Sequence, residues 1–254
     1  MRSALQSVAI CLALGSRVLA TGQAPTPEPA KAEQLFAFAN QARQTAGVGP
    51  LAWDSNLAEA AFEHCLRMTA GGPIAHQYAG EPDLTSRAGA AGAHFSLIEE
   101  NIAAGSQPEA IHQGWLNSAE HRTNLLNPSI DRVGIAVVVS GGLIFAVADY
   151  SRSVVDLTQT QVEAAFAELL RAKHLMILGD TTEARTYCAS SGKYAGNEPP
   201  KFLIRWQNPD VEHLPRPLLE QLAKGEYHKA AVGNCPAQDV NGAFTVYRMA
   251  VLLY

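Results

Sequence analysis

The stretch VGIAVVVSGGLIFAVADY, residues 133–150, decides the fold of the N-terminal half of this 254-residue chain. It contains an apolar run rich in β-branched residues, then Gly141-Gly142, and then a second apolar run. Two consecutive glycines between such runs predict a tight β-hairpin, because both turn positions can adopt a positive φ without steric cost. We therefore expect an antiparallel pair of strands over 133–150.

Upstream of the hairpin, apolar residues recur at helical spacing in three segments. The first helix is predicted over about 31–47 and the second over about 54–72. A third helix is predicted after Ser106, because Ser106 and Glu109 have the spacing of a capping box. The apolar positions that carry these assignments are Leu35, Phe38, Ala39, Ala42, Leu57, Ala61, Cys65, Met68, Ile111 and Trp115.

The composition is that of a globular, mildly acidic chain. Hydrophobic residues make up 47%, charged residues 17%, and the formal net charge is −5. Intrinsic disorder requires low hydrophobicity with high net charge, so it is excluded. No three Lys or Arg residues follow one another, and we expect no nucleic-acid partner. Past the N-terminus no apolar run approaches the ~20 residues of a transmembrane helix, so no transmembrane segment is expected.

The N-terminal residues predict export. An apolar stretch over 8–14 follows one basic residue, and Val18 and Ala20 stand at the −3 and −1 positions of a small-residue cleavage site. This pattern is typical of a secretory signal peptide. We therefore interpret residues 1–20 as a signal peptide and 21–30 as a proline-rich linker, and we expect a secreted, extracellular or periplasmic protein.

Cleavage of such a peptide leaves three cysteines. In an oxidising compartment, three cysteines predict one disulfide and one free thiol. Cys188 and Cys235 lie in loop-like sequence, whereas Cys65 lies on the apolar face of a predicted helix. The predicted bridge is therefore Cys188–Cys235.

A change in charge balance predicts a domain boundary near residue 151. Residues 31–151 hold six Lys+Arg against twelve Asp+Glu, whereas residues 152–254 hold eleven of each. We assign 31–151 to one domain and 152–254 to a C-terminal α+β extension whose role the sequence leaves open. The pair Val133-Gly134 is echoed by Val232-Gly233, a similarity that chance explains equally well.

Several short motifs follow one another in residues 31–151. They are LAWD (51–54), PIAH (73–76), EENIA (99–103), WLNSAEHR (115–122), NLLNP (124–128) and VGI (133–135). In this order they resemble the CAP superfamily, which includes cysteine-rich secretory proteins, pathogenesis-related proteins and insect venom antigens. The likeness is closest to the bacterial branch of SCP-domain proteins, and it covers about half of the chain.

The resemblance implies an α+β fold, a three-layer α-β-α sandwich with a small antiparallel central sheet. It also implies a cleft that holds two histidines and an acidic residue, which fall on His76, Glu100 and His121 of this sequence. In some family members the two histidines bind a divalent metal, so weakly bound zinc is the implied cofactor. The second cleft glutamate of the family has no counterpart over 111–118.

We therefore expect a secreted protein whose acidic cleft binds a divalent metal and a small-molecule, peptide, lipid or cell-wall ligand. The alternative is a metal-assisted hydrolase of peptidase type, with Glu100 as general base for a metal-bound water. Binding is favoured over catalysis, because hydrolysis needs a third firm ligand or a dedicated base and Glu100 is the one candidate for both. Glu100 can instead pair with Arg87 or Arg122 and orient a histidine.

Overall fold

A computed structural model gives the fold of most of the chain. The described residues are 24–70, 72–190, 192–196, 198–238 and 243–254. The predicted signal peptide, residues 1–20, lies outside them.

The N-terminal half contains five strands and five helices among its described residues. In chain order they are β1 (Thr26–Pro27), α1 (Pro29–Ala46), β2 (Ala52–Trp53), α2 (Ser55–Ala70), α3 (Leu84–Ala90), β3 (Phe95–Gly105), α4 (Pro108–Asn117), α5 (Ala119–Leu126), β4 (Arg132–Ser140) and β5 (Leu143–Ser153). The sheet has the order β1-β4-β5-β3, all antiparallel, and the short β2 adds to β4 in parallel. Strand β1 thus falls inside the segment predicted as a linker.

Helices cover both faces of this sheet, which makes the predicted three-layer sandwich. Successive side chains of a strand point to opposite faces. Ile135 and Val137 of β4 therefore pack with Leu35 of α1 and Trp115 of α4, while Val138 packs on the other face with α2. The core thus lies on both sides of the hairpin from which the fold was predicted.

Glycines set two features of the hairpin. Gly141 and Gly142 have φ values of +59° and +81°, as the predicted tight turn requires. Gly134 lies where α2 begins, and a Cβ on it would stand 2.0 Å from the backbone nitrogen of Ala58. The first turn of α2 can therefore cross β4 closely only because residue 134 has no side chain.

The C-terminal half forms a second sheet. Its described elements are α6 (Gln159–Arg171), β6 (Met176–Ile177), α7 (Thr182–Ala189), β7 (Phe202–Asn208), α8 (Arg216–Leu222), β8 (Lys229–Cys235) and β9 (Tyr247–Leu253). The strand order is β6-β8-β9-β7. Helices α6 and α8 pack on one face and α7 on the other.

The two sheets share one connectivity. In each sheet, a helix is followed by a short strand, and this short strand pairs in parallel with a strand that comes later in the chain (β2 with β4, β6 with β8). That later strand then pairs antiparallel with the next strand of the chain (β4 with β5, β8 with β9). Gly233 of β8 also lies against a helix start, as Gly134 does, since its Cβ would stand 2.3 Å from the nitrogen of Arg185. The echo of Val133-Gly134 in Val232-Gly233 therefore falls on equivalent strands.

The predicted Cys188–Cys235 disulfide is present. Both cysteines were predicted to lie in loops, but Cys188 belongs to α7 and Cys235 ends β8. The bridge therefore ties a helix to the sheet. Cys65 is free and buried on α2, as predicted.

The predicted capping box at Ser106 is wrong. Helix α4 starts at Pro108, its N-cap is Gln107, and no side chain caps it. A proline in the first turn needs no N–H partner, and the Glu109 carboxylate instead accepts a hydrogen bond from Gln34 of α1 at 2.6 Å. A capping box does occur at α6, between Thr158 and Gln161.

The two halves meet at the ends of their sheets. The Thr245 nitrogen donates to the Phe95 carbonyl at 2.9 Å, and the rings of Phe95 and Phe244 pack edge to face. In the part of the chain that the structure describes, no helix has the length and apolarity needed to cross a membrane.

Candidate functional site

Glu100 lies in the middle of β3 and is only 6% exposed. Its side chain points to the α2 face of the sheet, because Ile102, two residues further on, packs against α2. The charged residue is therefore held between the sheet and the segment that follows α2.

Two donors hold the Glu100 carboxylate. Arg87 of α3 donates from Nη2 to Oε2 at 2.6 Å, and His76 donates from Nδ1 to Oε1 at 2.7 Å. The hydrogen bond to Glu100 raises the pKa of His76, because it stabilises the protonated ring. The side chain of His76 is 59% exposed, so the ring joins a buried carboxylate to the surface.

His121 lies in the first turn of α5. The Ser118 hydroxyl caps this helix by accepting from the His121 nitrogen, and the Asn101 side chain donates to the His121 carbonyl at 2.9 Å. These contacts fix α5 against β3. Burial lowers the pKa of His121, and the charge of His76 lowers it further, so the two rings lie within electrostatic range of each other.

Glu120 acts on both histidines through its charge. It raises the pKa of His76 and opposes the lowering of that of His121. Adjacent residues of a helix project in different directions, and among the described residues Glu120 makes no hydrogen bond to either ring. Glu120 is therefore an exposed negative charge beside the site.

A second buried histidine–carboxylate contact lies behind Glu100. His64 of α2 and Glu81 form a contact of 2.7 Å between Nδ1 and Oε1, and both side chains are buried. Burial acts to raise the pKa of Glu81, but hydrogen bonds from His64 and from the Tyr78 nitrogen lower it overall. The other ring nitrogen of His64 lies 3.9 Å from Glu100 Oε2 and has no hydrogen-bond partner among the described residues.

Asp149 of β5 lies directly opposite Glu100 in the antiparallel register. It has no exposed surface, and neither carboxyl oxygen accepts a hydrogen bond from an N–H or O–H group in the part of the chain that the structure describes. Burial raises the pKa of Asp149 well above its usual value, and the charge of Glu100 raises it further.

Three residues beside the site, His64, Glu81 and Asp149, were not expected there from the sequence. Asp149 carries a usable signal, since it is the one acidic residue in the apolar run 143–150, where an acid requires a partner or a raised pKa. Glu81 carries no comparable signal. The partner of Glu100, which the sequence left open, is Arg87, while Arg122 donates to the Leu116 carbonyl at 2.8 Å.

His76 and His121 are the residues to be considered as metal ligands. Among the described residues, no three His, Cys, Asp or Glu side chains are arranged to hold a metal ion. His76, however, has the carboxylate–histidine arrangement typical of metal ligands, with Nδ1 bound to Glu100 and Nε2 without a hydrogen-bond partner in the described chain. The groups that could ligate a metal here are therefore the two imidazoles, because both oxygens of Glu100 already accept hydrogen bonds, from His76 and Arg87.

Comparison with known proteins gives the family. A profile of the cysteine-rich secretory protein family, CAP, matches residues 36–150. The uncharacterized protein YkwD of Bacillus subtilis is 31% identical over 127 residues, which are 48% of this chain and 48% of YkwD. The uncharacterized membrane protein YlbC of the same organism is 33% identical over 107 residues, or 41% of this chain and 31% of YlbC. The chain thus spans less than half the length of these two relatives.

Among solved structures, an extracellular SCP-domain protein from Bacillus anthracis is 32% identical and has a TM-score of 0.47. The match covers 50% of this chain and 41% of that protein. The ordered motifs, the three-layer sandwich and the family profile agree on the same segment. Residues 36–150 of this chain therefore match the cysteine-rich secretory protein (CAP) family and form its CAP-like domain.

Proposed function

We propose that the CAP domain binds a divalent metal weakly, with zinc as the best match, through Nε2 of His76 and a ring nitrogen of His121. The observation that carries this proposal is the 2.7 Å contact between His76 Nδ1 and Glu100 Oε1. A proton held on Nδ1 leaves Nε2 with its lone pair, which is the form that ligates a metal. The lowered pKa of His121 also favours a neutral ring.

Glu100 serves in this proposal as the group that orients His76. Its two oxygens accept from His76 and Arg87, and its side chain is almost fully buried. A general base must reach the proton that it removes. This arrangement favours binding over the metal-assisted hydrolase.

The ligand and the location complete the proposal. Zinc held by two imidazoles keeps coordination positions for an outside donor, and we propose an oxygen donor of a peptide, lipid, cell-wall fragment or other small molecule. A secreted, extracellular or periplasmic location is supported by the signal-peptide pattern in the sequence and by the Cys188–Cys235 bridge, since disulfides persist in oxidising compartments.

Zinc titration by calorimetry tests the metal site. We expect His76→Ala and His121→Ala each to weaken zinc binding by more than about tenfold, and Glu100→Gln to weaken it by about 10–100-fold, the usual effect of losing an orienting partner. His213→Ala is the matched control, because His213 also pairs Nδ1 with a carboxylate, Asp210, at 2.8 Å. Unchanged affinity in both cleft variants would exclude the site.

A peptide-substrate screen tests the alternative. We expect no zinc-dependent turnover by the wild-type protein. Turnover that disappears in Glu100→Gln, while His213→Ala keeps it, would favour the hydrolase.

A further inference from the structure

Two carboxyl groups face each other inside the N-terminal sheet. Glu100 and Asp149 are register partners on β3 and β5, and Gly134, the partner of Asp149 on β4, contributes no side chain. Both acids are removed from solvent. They therefore share one buried environment.

The two donors that form hydrogen bonds in this environment both serve Glu100, while His64 Nε2, 3.9 Å from Glu100 Oε2, forms none among the described residues. The Arg87 guanidinium and the His76 ring donate to it at 2.6 and 2.7 Å. Neither oxygen of Asp149 accepts a hydrogen bond from an N–H or O–H donor among the described residues. The charge of Arg87 opposes the rise of the Asp149 pKa, but a buried carboxylate without a hydrogen-bond donor of its own is strongly disfavoured, and two adjacent carboxyl groups cannot both ionise at low cost. Of the two acids, Asp149 is the one that keeps a proton.

We propose that Asp149 is a neutral carboxylic acid that donates its proton in a hydrogen bond to Glu100, and that it thereby acts as a positioning residue for His76. Glu100 then accepts from three side chains, and its charge and orientation are fixed. The raised pKa of Asp149 agrees with this assignment. The effect on metal binding rests on the proposed function, whereas the protonation of Asp149 does not.

Asp149 could act either as a neutral hydrogen-bond donor or as an ionised carboxylate, and substitutions distinguish the two. A neutral donor is replaced well by asparagine, because the amide is also neutral and also donates. An ionised Asp149 is not replaced well by asparagine, because the substitution then removes a negative charge close to Glu100 and His76. The substitutions Asp149→Asn and Asp149→Ala thus distinguish a neutral donor from an ion.

The direct test is infrared difference spectroscopy at pH 7 of the metal-free full chain. We expect wild type to show the carbonyl stretch of a protonated carboxylic acid, and Asp149→Asn to lack it. Asp156→Asn is the control, because Asp156 is 71% exposed, and it should keep the band. Absence of the band from wild type, or its persistence in Asp149→Asn, would overturn the proposal.

The positioning role is tested by an NMR titration of His76 in the same proteins. We expect Asp149→Asn to leave the pKa of His76 within about 0.3 units of wild type, and Asp149→Ala to raise it by about half a unit or more, because Glu100 loses a donor and attracts the His76 proton more strongly. A fall of about one unit in Asp149→Asn would show that Asp149 is ionised. An unchanged pKa in Asp149→Ala would show that it does not position His76. If Asp149→Ala fails to fold, the asparagine variant and the infrared band still decide the proposal.

Zinc affinity is measured separately. Asp149→Asn should bind zinc within about twofold of wild type, as expected for a variant that keeps the orienting hydrogen bond. Failure of wild type to bind zinc would reject the proposed function, while the infrared and NMR results would continue to decide the role of Asp149.

Discussion

His76 and His121 have pKa values that shift in opposite directions. The hydrogen bond to Glu100 raises the pKa of His76, while burial and the charge of His76 lower that of His121. When a proton enters the site, it therefore goes first to His76. A metal ion that binds both rings must displace this proton, which couples its affinity to pH.

We predict that the pKa of His76 lies above 6.5 and that of His121 below it, as measured by NMR in one titration. Because ligation needs the neutral ring, zinc affinity should fall as the pH drops through the raised pKa of His76. In Glu100→Gln the pKa of His76 should move down, and in His76→Ala that of His121 should move up. Equal pKa values for the two rings would contradict this coupling.

The raised pKa of His76 also affects the stability of the fold. A raised pKa means that the folded state binds the His76 proton more tightly than the unfolded chain does. This contribution to the free energy of unfolding is fully present below the unfolded value of about 6.5, and it is lost as the pH rises through the folded pKa. Glu100→Gln should remove it.

At the level of elements, the contact between α2 and β4 depends on one residue. The first turn of α2 lies so close to β4 that a methyl group at Gly134 would overlap the backbone at Leu57 and Ala58. Backbone atoms cannot rotate away as a side-chain end can. The position of α2, and with it that of His64, is therefore set at Gly134.

Gly134→Ala should lower the free energy of unfolding by about 2 kcal/mol or more, at the upper end of overpacking effects. Gly114→Ala is the matched control, because Gly114 lies in helix α4 with open space around it, and alanine there should stabilise by about 0.5–1 kcal/mol. Urea denaturation of both variants measures the difference. Equal stabilities would show that α2 can move away from β4 at little cost.

Local patterns predicted the hairpin well, because the two glycines and the flanking apolar runs lie within one short segment. They failed at Ser106, where Pro108 and a tertiary contact of Glu109 decide how α4 begins. They could not reveal that Glu100 faces Asp149, since that depends on the register between β3 and β5. The pairing of Glu100 with Arg87 rather than Arg122 likewise depends on where α3 packs.

On the scale of the whole molecule, the disulfide lies entirely in the C-terminal half. It joins residues 47 positions apart, and closing a loop of that length stabilises a fold by about 4 kcal/mol in the chain-entropy description. The candidate metal site lies in the other half. Stability and binding are therefore expected to respond to different parts of the chain.

The double variant Cys188→Ala/Cys235→Ala should lose amide hydrogen-exchange protection in β8 and β9, by roughly the 4 kcal/mol of the bridge. Strands β4 and β5 should keep their protection, and zinc affinity should stay unchanged. Cys65→Ala is the control for the loss of a cysteine as such, since burial raises the pKa of its thiol to about 12 and it forms no bridge. A uniform loss across both sheets would contradict the prediction.

The shared connectivity of the two sheets has a consequence for stoichiometry. Asp149 pairs with Gly134 and Glu100, and in the second sheet Ala250 pairs with Gly233 and Arg205. Arg205 thus occupies the place of Glu100, where its guanidinium stacks on Tyr187 and donates to the Ser190 and Gly192 carbonyls. In the first sheet a metal ion would approach the two histidines beside Glu100, whereas at the equivalent place in the second sheet it would meet the positive charge of Arg205. We therefore expect one metal ion per chain, although the two sheets share one connectivity.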